Sequence, residues 1–239
     1  MGVSSIIAIN RLISREVRYS VRHANWASEL ALLPDKSVDH ALCSCSRVGM
    51  ASKLVRVTRG WIIAFCELED VGSWQEACEE NECRWFRPGV IIDSNRSVDR
   101  RSGQWSSGVE AVITMWSGEG KPAHSADGTG VFMLPMRRPG DKRVARIRPI
   151  ELYMEIVRAF SGDDDLILDP CCSAAASGVA CLRRGRRFLG LESDAQLLRI
   201  AQEWMSAEAS STTMEDEKRR QLPLFPDRLD DASAREDKP

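Results

Sequence analysis

The stretch Asp165-Leu-Ile-Leu-Asp-Pro-Cys-Cys-Ser-Ala-Ala-Ala-Ser-Gly178, with Glu192 fourteen residues further on, constrains this chain more than any other. A buried strand, a tight turn of small residues, a helix and a second strand ending in an acid follow one another. That order is the layout of a nucleotide-type cofactor site at the mouth of a parallel sheet. In such a turn the backbone amides face the ligand, and glycine permits close approach and positive φ at low cost. Ser173 and Ala175 stand where those glycines are expected. A forced positive φ at alanine costs on the order of 1 kcal/mol, which a fold survives; the steric effect on a ligand lying against the backbone is the larger concern. Glu192, closing Phe188-Leu-Gly-Leu-Glu192, is placed to accept hydrogen bonds from ribose hydroxyls. A surface acid beside a helix start is the other reading of it.

The rest of the chain supplies the sheet around that unit. Val38–Cys43, Trp61–Cys66, Phe86–Ile92, Val109–Trp116, Leu166–Leu168 and Phe188–Leu191 read as strands, Trp61-Ile-Ile-Ala-Phe-Cys66 the most clearly buried. Helical spacing marks Glu29–Leu33 as a helix end, and Val48–Val57, Val71–Asn81, Ile150–Phe160, Ser177–Arg184 and Asp194–Ala207 as helices. Strands separated by helices predict a doubly wound α/β sheet. Asp93–Ser107 and Lys121–Arg146 are predicted to be irregular, and after Ala209 the polar composition predicts a disordered tail with one apolar plug, Gln221-Leu-Pro-Leu-Phe-Pro226.

At 239 residues the chain suits one substantial domain, residues 1–208, followed by the tail 209–239. No run approaches the ~18 apolar residues of a membrane span. No basic residue precedes the apolar stretch near Met1, so neither signal peptide nor membrane is expected, and a cytoplasmic location is. The eight cysteines, at 43, 45, 66, 78, 83, 171, 172 and 181, contain no Cys-x-x-Cys, and three histidines are too few to complete zinc sites, so reduced thiols and no metal are expected. A thiol or metal protein using the pairs Cys43/Cys45 and Cys171/Cys172 is the competing reading, because the two pairs follow strands expected to be neighbours. From Ala207 onward nine acids face six bases, leaving the body near +1 against a total of −2. Arg137–Arg148 and Arg183–Arg187 concentrate that charge, enough to hold a phosphate backbone or merely to form a solvated face.

Four segments together resemble one family. Ser37-Val-Asp-His-Ala-Leu-Cys-Ser-Cys-Ser-Arg47 is similar to the strand that leads into an (Asp/Asn/Ser)-Pro-Pro-aromatic motif, and Arg56–Cys66 to the strand after it. Arg148-Pro-Ile-Glu-Leu152 resembles a Lys-Pro-x-Glu-Leu element, and Asp165–Glu192 the cofactor motif with its Arg-Arg-Phe-Leu-Gly-Leu-Glu continuation. With the target-amine motif ahead of the cofactor motif, the chain resembles the beta-class DNA amino-methyltransferases, especially compact phage- or prophage-type ones, over residues 20–226. The resemblance implies a Rossmann-like methyltransferase sheet with permuted motif order. It implies S-adenosylmethionine as cofactor and methyl transfer to adenine N6 or cytosine N4 of a base flipped from double-stranded DNA. Asp169, Pro170, Cys171, Ser173, Ala175, Gly178, Glu192, Arg148 and Pro149 then fall at cofactor-binding positions. Ser44, Cys45, Ser46 and Arg47 fall at the catalytic motif. Residues 93–146 become a target-recognition-like region, with Arg96, Arg100, Arg101, Gln104 and the stretch Arg137–Arg148 as candidate DNA contacts.

The departures from the family pattern lie at the chemistry. Ser44 keeps a hydrogen-bond acceptor, but Cys45 and Ser46 remove proline rigidity and Arg47 replaces the stacking aromatic. Arginine can stack on a base, yet an orienting clamp of flexible residues loses alignment. Cys171 replaces a phenylalanine, and Ser173 and Ala175 the two glycines. The expectation is an impaired methyltransferase, with an inactive member that binds DNA or protein as the alternative.

Overall fold

The computed structural model describes residues 9–45, 47–93, 108–122, 124, 128–134 and 147–210. The chain divides after Ala209, and every element below lies before that point. Residues 9–13 are helical (α1). There follow β1 (Tyr19–His23), α2 (Trp26–Leu32), β2 (His40–Cys43), α3 (Ala51–Val57), β3 (Trp61–Cys66), α4 (Val71–Glu80), β4 (Arg84–Trp85), β5 (Gly89–Ile92), β6 (Val109–Trp116) and β7 (Val131–Met133). The last four are α5 (Ile150–Phe160), β8 (Leu166–Asp169), α6 (Ala176–Arg183) and β9 (Arg187–Glu192), then α7 (Ala195–Ala209).

The nine strands among the described residues belong to one sheet, in the order β1-β9-β8-β2-β3-β6-β5-β7, with β4 also paired to β6. The pairs from β1 through β3 are parallel; β6 runs antiparallel to β3, β4 and β5. Alternate residues divide the core. Ala41, Cys43, Ile62, Ala64, Cys66, Leu166, Leu168, Leu189 and Leu191 join a cluster with Leu30, Leu54, Val57, Trp74 and Cys78 of the early helices. The intervening residues meet the later ones: Phe65 stacks on Tyr153, Trp61 meets Phe160 edge-on, and Phe188 lies against α6 at Gly178. Helices thus cover both faces, which is why β2, β3, β8 and β9 are buried along their whole length.

The doubly wound sheet matches the sequence expectation, and three strands add to it. Tyr19–His23, an edge strand of mixed burial, had no apolar run to reveal it. Val131–Met133 lies inside the stretch expected to be irregular, paired with β5. Phe86 lies outside both β4 and β5, so the strand expected over 86–92 is shorter and is preceded by a separate two-residue strand. Among the described residues no helix is long and apolar enough to cross a membrane. The expected tail, beyond residue 210, lies outside the described residues.

Candidate active site

From β8 the chain passes through α6 to β9 on one side, and from β2 through α3 to β3 on the other. The boundary between β8 and β2 is therefore the topological switch point, where open parallel sheets form a crevice at the carboxyl ends of their strands. The register His40↔Ile167 and Ala41↔Leu168 carries Ser44 and Cys171 to that edge together. They touch: the Ser44 hydroxyl donates to the Cys171 carbonyl at 3.3 Å.

On the β8 side the turn is held by two carboxylates. Asp169, fully buried, accepts from the Ser177 hydroxyl at 2.7 Å and from the Cys171 amide at 3.1 Å. Burial pushes its pKa from an ordinary 3.8 up to about 7; those two hydrogen bonds oppose the shift and the nearby Glu192 charge adds to it. Glu192 accepts from the Ser173 amide through one oxygen and from the Asp194 amide through the other, both at 2.8 Å. Ser173 (φ 52°) and Ala175 (φ 60°) lie in the left-handed region. The turn keeps a glycine conformation without glycine. The two side chains differ in direction: Ala175 is wholly buried by the chain itself, while Ser173 is half-buried at the mouth. Gly178 has another task, since a Cβ there would come within 2.6 Å of the Phe188 ring and 2.7 Å of the Met205 sulfur.

On the β2 side, both polar groups of Ser44 are held. Its carbonyl accepts from Arg148 Nη1 at 3.2 Å. Arg148 in turn grips Glu110 of β6 through Nη2, at 2.7 and 2.8 Å to the two carboxylate oxygens, and lies 5.0 Å from the Phe65 ring centre. Tyr153 is buried, and burial pushes its phenol up to about 12, outweighing Ser44 and Arg148, which lie close enough for both to pull it down. Ser44 gives its own hydrogen to the Cys171 carbonyl, so its Oγ keeps acceptor capacity.

Of the two thiol pairs, three members come together and one does not. Cys43 and Cys45 lie 3.5 Å apart, sulfur to sulfur, and Cys171 is close enough to act on Cys45, whereas the Cys172 sulfur faces Gly190. The Cys171 thiol is held up by its bond to Cys45 and by burial. Cys45 is pulled down by Cys171, but its bond to Cys43 and burial outweigh that. Neutral thiols of this kind are poor nucleophiles. All eight cysteines are free, and among the described residues no group of three or more His, Cys, Asp or Glu is arranged to hold a metal ion.

The structure thus brings Asp169, Pro170, Cys171, Ser173, Ala175, Glu192, Ser44 and Cys45 to one edge. Arg47 is exposed on the turn after β2, close enough for its charge to act on Cys171. Arg148 and Pro149, expected beside the cofactor, lie against the β2 tip, with buried Pro149 opening α5. Ser46 and the candidate DNA contacts Arg96, Arg100, Arg101, Gln104 and residues 137–146 fall outside the described residues. Sequence reasoning missed Glu110, Tyr153 and Phe65. The signal was available: an acid inside the apolar run Val109-Glu-Ala-Val-Ile needs a buried partner.

Among solved structures, M1.HpyAVI in complex with SAM superposes with a TM-score of 0.64 at 15% identity, over 78% of this chain and 98% of that one. The cytosine-N4-specific PvuII DNA methyltransferase superposes with 0.65 at 11% identity, over 84% and 90%. The chain carries the fold of the DNA methyltransferases. By sequence it is similar to the Type II methyltransferase M2.DpnII of Streptococcus pneumoniae, 36% identical over 61 residues, and to M2.LlaDCHI of Lactococcus lactis subsp. cremoris, 32% identical over 63. Each match covers 26% of this chain and spans 23% of the relative. No protein-family model matches the chain. In the methyltransferase fold of this chain, the strand tips bearing Asp169 and Ser44 are neighbours, as the motif order led one to expect.

Proposed function

We propose that the protein is an S-adenosylmethionine-dependent DNA methyltransferase, acting in the cytoplasm on an exocyclic amine of adenine or cytosine in double-stranded DNA, with turnover reduced by its altered motifs. The observation that carries the reading is the switch-point edge where Glu192, the left-handed turn 173–175 and Ser44 lie together. The residues fit the cofactor: a nearly buried carboxylate ends the strand after the turn, and each oxygen, engaged by one amide, retains a lone pair for a ribose hydroxyl. When bound, S-adenosylmethionine supplies an electrophilic methyl group.

The chain's own residues do the rest by orientation. Ser44 Oγ, its hydrogen committed to Cys171, presents a lone pair to an N–H of the target amine, which leaves the nitrogen lone pair free to point toward the cofactor. A base flipped out of the duplex is what brings that amine to the edge. Arg47 offers a guanidinium plane where an aromatic would stack. Holding the amine in line, rather than proton abstraction by a strong base, is the contribution this site makes.

Titration of S-adenosylmethionine by calorimetry, followed by transfer of labelled methyl to DNA, tests the reading. Micromolar binding with label in adenine or cytosine is expected. Absence of binding overturns it. Binding without label favours the second reading, an inactive relative that binds DNA or protein, to which the side chains at 45, 47 and 173 point.

A further inference from the structure

We propose that Arg148, Glu110 and Tyr153 form a positioning unit for Ser44, replacing by ion pairing and aromatic packing the rigidity that two prolines supply in the motif it resembles. The inference rests on the proposed methyl transfer, because only there does the aim of Ser44 matter. Nothing about the ion pair alone requires Ser44. Arg148 and Glu110 satisfy each other through two short bonds, and Phe65 supports the guanidinium from β3. Yet the remaining guanidinium arm reaches the Ser44 carbonyl at 3.2 Å, and Tyr153, in the first turn of α5, lies close to the Ser44 side chain. The start of one helix thus holds the backbone of the residue at the β2 tip and flanks its side chain.

The layering explains why this works. Glu110 lies on β6, Phe65 on β3 and Ser44 after β2, three consecutive strands in the sheet. Tyr153 stacks on the Phe65 ring at 28°, with centroids 5.9 Å apart, so its phenol cannot swing away without leaving the stack. Pro149, with φ −58°, lies between Arg148 and the first turn of α5 and fixes the backbone there. Every member of the unit is held by something other than Ser44, which is what an orienting support requires. Ser44 is the group that meets substrate; the three others act through it.

A double-mutant cycle with Tyr153→Phe and Ser44→Ala tests the proposal, with Arg148→Lys and Arg148→Gln beside it. Tyr153→Phe keeps the ring and its stack, so the fold is retained. Its methyl transfer to DNA is expected to fall at least about tenfold in kcat, with cofactor affinity within twofold of the starting protein. In the Ser44→Ala background the same change should cost nothing more, because its effect passes through the missing hydroxyl. Arg148→Lys should retain more kcat than Arg148→Gln, as only lysine keeps a cationic donor that Glu110 can hold beside the Ser44 carbonyl. Additive losses, or loss of cofactor affinity in step with kcat, overturn the proposal. Amide hydrogen exchange over residues 44–47 in the ligand-free variants separates this from the functional reading. Faster exchange upholds the positioning unit even if the starting protein transfers no methyl, and unchanged exchange in Arg148→Gln and Tyr153→Phe refutes it whatever the activity.

Discussion

The two strand tips at the crevice each lack the residue type expected there, and they hold their shape differently. The turn after β8 lacks glycine and keeps its shape by placing Ser173 and Ala175 at positive φ, where the Glu192 carboxylate and the Asp169 pair hold the backbone. The tip after β2 lacks proline and is held from outside by Arg148, itself gripped by Glu110. Backbone strain answers one loss and a side-chain network the other. The first is local and costs little; the second spans three strands and one helix, so it should be the more fragile. That difference orders the effects expected from mutation.

Among substitutions compared at one pH, removing one member of the β2-side network should have the largest effect. The Glu110 side chain is 9% exposed and that of Arg148 21%, so Glu110→Ala leaves a guanidinium largely enclosed without its bidentate partner. A loss of about 3 kcal/mol is expected in urea unfolding, and replacing both residues by apolar ones of similar volume should recover most of it. A loss below about 1 kcal/mol would show that the ion pair does not brace the tip. On the β8 side the corresponding effect depends on pH. The Asp169 carboxyl, raised from 3.8 to about 7, favours the protonated form in the folded state more than in the unfolded one. Its contribution is fully present below about pH 4 and is lost as pH rises toward 7, by up to on the order of 4 kcal/mol. Asp169→Asn should flatten that decline between pH 4 and 8; an unchanged slope would place the titration elsewhere.

The same contrast governs what was legible in the sequence. The β8 side is a local unit: strand, turn, helix and Glu192 follow one another within 28 residues, so their order alone located them. Even the left-handed backbone at 173 and 175 was foreseeable, because position in the turn, not residue type, demands it. The β2 side is assembled from residues 44, 65, 110, 148 and 153, and no short-range pattern links those positions. β1 escaped for a related reason. Tyr19-Ser-Val-Arg-His23 is half-buried up to an exposed His23, and it is a strand because β9 offers it an edge, not because its own pattern insists. Gly178, expected at the cofactor, lies where α6 packs against β9, a contact its neighbours in sequence do not announce.

Gly178 gives an effect of intermediate size. A methyl there meets an aromatic ring and a methionine sulfur, and overpacking of this kind costs about 1–3 kcal/mol. The Met205 side chain is flexible, so the lower half of that range is expected for Gly178→Ala in thermal unfolding. Cofactor affinity should stay unchanged if the residue serves packing; a loss of affinity without loss of stability would return it to the ligand site.

The smallest effect, and the sharpest test of the β8-side account, comes from restoring the glycines one at a time. Ala175→Gly relieves a left-handed alanine, worth about 1 kcal/mol, but frees the unfolded chain by a comparable 0.4–1 kcal/mol or so. It also vacates a buried methyl site. The terms nearly cancel, so stability should shift by less than about 1 kcal/mol. Because Ala175 points into the protein, affinity for S-adenosylmethionine should not change. Ser173→Gly removes a half-buried side chain at the mouth of the turn and should improve affinity by roughly fivefold, equivalent to about 1 kcal/mol. Equal gains from both substitutions would mean that backbone conformation, not side-chain bulk, limits the pocket, and the two replaced glycines would then be one defect instead of two.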